Sequence, residues 1–134
     1  MLVWGLVCPT RADAWHWAEL RAGERPGSRL LTGPGLDTDP GGAAIPVASR
    51  QAVGGIQTRQ GLALVREVVA TGRLHHDGSS DLDAQVTTVR VIPSANGGLS
   101  LTGSGRSDLV RALAWAVRDL MRPATVAAAP FVIR

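Results

Sequence analysis

The first hydrophobic stretch, LVWGLVC at residues 2–8, is apolar almost throughout and shows no alternation. That pattern predicts a buried strand, central in a parallel sheet, ended by Pro9. The spacing then turns helical over residues 11–22, RADAWHWAELRA, where Trp15, Ala18 and Ala22 share a face and Trp17 and Leu20 lie beside it. Gly23 is the expected stop. Two tryptophans so close suit either a helix packed on a sheet or a stacking platform for bases.

Periodicity fades over residues 23–44, where only Arg29 to Thr32 suggests a short strand. Such a stretch inside a small domain reads as a mobile loop or as a segment that has lost its packing. Its glycines lack the spacing and the GK[ST] ending of a phosphate loop. AIPVASR, residues 44–50, predicts a short strand. Residues 58–70 predict a second helix, capped by Thr58, with Leu62, Val65 and Val69 as its buried stripe. Gly61 is expected to weaken that helix slightly, and Gly72 to end it.

Helix and strand compete from Asp81 to Val91: DLDAQVTTV suits a short helix, whereas VTTVRVI alternates. SANGG, residues 94–98, is a hairpin signal, and GLSLTG is the returning strand. A last helix is expected over residues 108–121, capped by Ser107 and closed by Pro123. Leu109, Leu113, Ala116 and Leu120 would form its apolar side, flanked by Val110 and Val117. The order β-α-(β)-β-α-β-β-α predicts an α/β layer structure with a small mixed sheet flanked by helices. It divides into residues 1–122, with a glycine/proline-rich loop at about 23–43, and a tail, residues 123–134, that is loosely attached or an extra edge strand.

Composition narrows this picture. The chain has 134 residues, enough for one modest core, with sixteen glycines, eight prolines, one phenylalanine and no tyrosine. The core must therefore be built of Ala, Val and Leu. All fourteen basic residues are arginines and the formal charge is only +3. Arginine suits phosphate, but a scattered set is a weak electrostatic footprint. One cysteine excludes an internal disulfide framework. The opening MLVWGLVC is too short and uncharged for a secretory signal, and no apolar run of about 18 residues occurs. The expectation is a soluble, cytoplasmic protein without a membrane partner.

Candidate chemistry is sparse. His75, His76, Asp77, Asp81 and Asp83 contain imidazole and carboxylate, both of which suit divalent ions, yet adjacent histidines rarely converge on one centre. The alternative is a turn in which a histidine bonds to nearby backbone. Asp108 is the one weak catalytic candidate, although an acid in a first helical turn is favoured by the helix dipole alone. Two-metal hydrolysis needs several carboxylates from separate elements. Nothing in the local sequence activates Cys8 as a nucleophile, with His16 the one base on the following helix.

Several strings resemble the C-terminal nuclease domain of phage terminase large subunits. Gly72, Arg73, Leu74, His76, Gly78, Leu82, Asp83 and Val86 fall on that family's G-R-L-x-H-x-G-x-x-x-L-D-x-x-V pattern. Arg106, Ser107, Asp108 and Ala112 fall on its R-S-D-x-x-D-A helix. Val7, Cys8, Pro9, Thr10, Arg11 and Ala12 answer to the end of its D-P-W-R-A strand. The resemblance, over about residues 3 to 121, implies a partial RNase H-like fold and an endonuclease that cuts packaged DNA with Mg or Mn. It also implies structural roles for His76, Gly78, Leu82 and Asp83.

The departures from that family imply lost activity. Cys8 and Arg111 occupy positions where acids are expected, Asp108 matches a non-catalytic acid, and the family's opening strand and ATPase motor are missing. A truncated nuclease domain of phage or prophage origin, inactive alone and binding no metal by itself, is therefore expected. The alternative is a small DNA-binding or structural accessory module without catalysis. Its expected contacts to double-stranded DNA are Arg11, Arg73, Arg106 and Arg111, with Arg59 and Arg66 as further candidates. Another chain covering the incomplete sheet is the other expected partner.

Overall fold

The computed structural model describes residues 1–3 and 5–122, so the expectations for the tail at 123–134 and for Pro123 lie outside the described residues. Along the chain run β1 (Leu2–Val3), α1 (Arg11–Glu24), β2 (Leu30–Thr32), β3 (Arg50–Ala52), α2 (Gly55–Ala70), β4 (His75–His76), α3 (Ser80–Thr88), β5 (Arg90–Pro93), β6 (Leu99–Thr102) and α4 (Asp108–Met121). Among the described residues the strands form three two-stranded ladders: β1 with β4 and β2 with β3, both parallel, and β5 with β6, antiparallel. The result is a small α/β domain with mixed strand pairing flanked by helices. Among the described residues no helix is long and apolar enough to cross a membrane.

The core lies where α2 crosses α4. Val68, Leu82, Leu109, Leu113 and Val117 form one buried cluster, and Leu62, Val110 and Ala114 a second, against which Leu99 and Leu101 of β6 pack. The helices meet at Gly61, where a Cβ would stand 2.1 Å from the Ala114 carbonyl oxygen. Gly61 therefore permits the crossing. The buried faces are rotated from those the periodicity predicts. Val68 is buried and Val69 exposed on α2, while Val110, Ala114 and Val117 are buried on α4 and Leu120 is exposed. Thr58 is not the cap of α2, which starts three residues earlier after Gly54. Its buried hydroxyl instead donates to the Gly54 carbonyl at 3.0 Å and accepts the Trp115 indole N–H at 2.8 Å.

Competition over residues 81–91 resolves by position. The Thr87 and Thr88 hydroxyls donate back to the carbonyls of Asp83 and Ala84, at 2.8 and 2.7 Å, so α3 holds its β-prone end before β5 begins. The opening strand expected over residues 2–8 pairs, among the described residues, at Leu2 and Val3, and Gly5 passes against the Leu82 Cβ. The strand expected at 44–50 is displaced to Arg50–Ala52, because Pro46 to Ser49 close a tight turn first.

The glycine-rich segment is neither loose nor unpacked. Successive tight turns run from Gly33 to Ile45, which is buried. They wrap the Arg50 guanidinium, which donates to the carbonyls of Asp37, Asp39, Gly42 and Ile45. Trp15 of α1 is buried against this loop, with Arg50 5.4 Å from its ring centroid. A Cβ on Gly42 would stand 2.5 Å from that ring. Trp15 thus packs on the loop, not on a sheet. The ring of the more exposed Trp17 has Arg21 over it at 4.3 Å.

Candidate functional site

The residues singled out by sequence meet most closely at the start of α4. Ser107 precedes this helix but its side chain caps nothing. The cap comes from Gln85 of α3, which is buried: its Oε1 accepts the Leu109 N–H at 2.9 Å and its Nε2 donates to Asp108 Oδ1 at 3.0 Å. Arg106 grips the same carboxylate, Nε to Oδ1 at 3.2 Å and Nη2 to Oδ2 at 2.8 Å. Desolvation pushes the Asp108 pKa upward. The Arg106 hydrogen bond, a backbone bond within Asp108, the Arg106 charge and the Gln85 bond outweigh it and hold the acid below its ordinary value of 3.8.

One turn on, Arg111 donates from Nε to Ser107 Oγ at 3.2 Å. No carboxylate among the described residues pairs with it. Its guanidinium borders a small open cleft of about 50 Å³, lined also by Thr88, Val89, Leu101, Thr102, Gly103, Gly105 and Ser107. Arg90 stands directly opposite Thr102 in the antiparallel ladder, so the two side chains share a face. Arg90 likewise has no carboxylate partner among the described residues.

Of the other expected contacts, Arg11 and Arg73 lie elsewhere and are paired. Arg11 pairs with Asp39 at 3.1 Å, and Arg73 with Glu67 at 3.1 Å. Arg106 is occupied by Asp108. Arg59 and Arg66 lie on α2, where Arg59 lends its carbonyl to the approach of the hairpin glycine Gly98. Cys8 is half-buried, and no hydrogen bond among the described residues joins it to Asp108 or Arg111. Around His76, Nδ1 accepts the Gly78 N–H at 3.1 Å and Nε2 lies 3.6 Å from Asp83. Gly78 turns at φ 77°, and Leu82 belongs to the core.

A divalent cation, which the terminase resemblance implies for the family, would need free carboxylate oxygens. Both Asp108 oxygens are taken, and Arg111 would set a positive charge beside an ion. Among the described residues no three of His, Cys, Asp and Glu gather as metal ligands. What the arrangement offers is hydrogen-bond donors and positive charge. Sequence reasoning missed Gln85, Arg90 and Arg50. Gln85 had no signal, since its partner stands far along the chain. For Arg90 the hairpin register was the available clue, because it sets this residue opposite Thr102. No family model, no curated protein and no solved structure matches the chain.

Proposed function

We propose that the protein is a small, non-catalytic accessory module that holds the phosphate backbone of double-stranded DNA at the corner formed by the β5–β6 hairpin and the start of α4. One observation carries this reading: the acid of that corner, Asp108, is consumed by Arg106 and Gln85, while Arg90 and Arg111 are exposed and have no carboxylate partner among the described residues. Phosphate contacts of this kind position a module on a duplex and carry no sequence information themselves.

Descent from a terminase-type nuclease domain with an RNase H-like core belongs to the same proposal. Its support is the two strings GRLHHDGSSDLDAQV and RSDLVRA. In that comparison Arg111 replaces a metal-binding acid, which turns a cation site into a phosphate contact.

Two measurements on purified protein test the reading. Duplex affinity, followed by fluorescence anisotropy across a salt series, should fall as salt rises, with a log–log slope of about −0.9 for each phosphate neutralised. Plasmid DNA in manganese should stay intact. Cutting that disappears in Asp108→Ala would overturn the non-catalytic reading, and an absence of duplex binding at low salt would overturn the DNA partner.

A further inference from the structure

The cleft beside Arg111 has a chemistry of its own. Its polar side chains are those of Arg111, Ser107, Thr102 and Thr88. Arg111 is steered by its Nε bond to Ser107, which leaves both of its Nη groups without a partner among the described residues. The Ser107 hydroxyl, used there as an acceptor, keeps its proton to donate. Thr102 makes no side-chain bond among the described residues, whereas Thr88 spends its proton on the Ala84 carbonyl.

Between Thr102 and α4 runs the turn Gly103–Arg106. None of its four backbone N–H groups donates to another described group. Gly103 sits at φ 111°, a conformation that an L side chain rarely adopts, and Gly105 packs over Thr88, where a Cβ would meet the hydroxyl at 3.7 Å. Successive backbone amides bind an anion where the backbone makes them converge. Arg90 is the ladder partner of Thr102. The nearest acid, Asp108, is already neutralised by Arg106.

We infer that this cleft is an oxyanion site for one phosphate group, contacted by Arg111, Thr102, Ser107 and the amides of Gly103 and Gly105. The cleft is small and open, with room for a tetrahedral anion. The inference rests on the DNA-backbone reading above and sharpens it to one phosphodiester at one place. Free phosphate shares the chemistry, so the test carries both.

The experiment is an NMR titration of the full chain, once with inorganic phosphate and once with a short duplex. It follows the amides of Gly103 to Arg106 and the Arg111 Nε–H. Both ligands should shift these signals together. Arg111→Gln, an exposed substitution whose fold is checked by circular dichroism, should weaken duplex binding about tenfold and lower its salt slope by about one unit. Thr102→Val provides a second, milder loss at the same place.

If the duplex binds but shifts signals elsewhere, and Arg111→Gln leaves its affinity unchanged, the cleft assignment is overturned while the DNA-binding reading stands. If phosphate shifts the cleft signals but the duplex does not bind, the nucleic-acid assignment falls and a free-anion site is what remains. If neither ligand moves them, the site itself is refuted.

Discussion

Gly61 illustrates how one residue can mean opposite things at two levels. Helix propensity alone makes it a weakness of about 1 kcal/mol relative to alanine. In the fold it is the contact point of the two main helices, with the Ala114 carbonyl where a Cβ would be. Gly61→Ala should therefore destabilise the domain by about 1–3 kcal/mol through overpacking, against the propensity gain. Urea denaturation measures this directly, and a raised midpoint would show that the crossing is looser than described. Thr58 carries the same lesson. Its type and position suggested a cap, yet its hydroxyl sits inside α2 and links the Trp115 indole to the Gly54 carbonyl.

At the scale of elements, α3 and α4 are joined through Gln85 and Asp108. The side chain of one helix caps the next, so the start of α4 depends on α3 being in place. The depressed Asp108 pKa gives this joint a pH signature. A carboxyl held below its unfolded value stabilises the fold above that value, and the contribution disappears as pH falls through the folded pKa. The Asp108 side chain is 53% exposed, so water screens the interaction and its worth is limited to about 0.2–1 kcal/mol. Asp108→Asn should accordingly melt slightly lower than the parent near neutrality, and the two melting curves should converge below about pH 4. A difference that persists unchanged into acid would assign the effect to packing instead of charge. Much of the element layout was legible beforehand. The end of α2 at Gly72 and the Ser94–Gly98 turn, with positive φ at Gly97 and Gly98, depend on local backbone geometry that residue type reveals. The buried faces of α2 and α4 were legible only approximately, because an angular offset of one residue is decided by the partner helix.

For the whole molecule, the decisive feature is the loop from Gly33 to Ser49. Arg50 gathers four of its backbone carbonyls, and Trp15 covers it, so α1 is attached to the domain through this loop. Arg50→Ala should leave those carbonyls without their common donor. We expect a loss of about 1–3 kcal/mol and faster limited proteolysis between residues 33 and 49. Arg50→Lys should recover only part, since an ammonium cannot span the fork of bonds a guanidinium makes. Unchanged cleavage in both variants would show that the turns hold without the arginine.

The sequence by itself did not show β4 and left α3 open between helix and strand, but it determined the helices α1, α2 and α4, the hairpin and the α/β class. These depend on periodicity, turn chemistry and glycine, all of which act between near neighbours. It also restricted the candidate chemistry at the last helix to Asp108, Arg106 and Arg111. Tertiary structure alone decided that Asp108 is occupied, that Gln85 caps α4, that Arg111 borders a small cleft, and that glycine-rich residues form an ordered loop around Arg50. Each of these depends on partners distant in the chain, brought together by the α2–α4 crossing or by strand register. Hydrogen-bond geometry, unlike periodicity, leaves no trace in the order of residues.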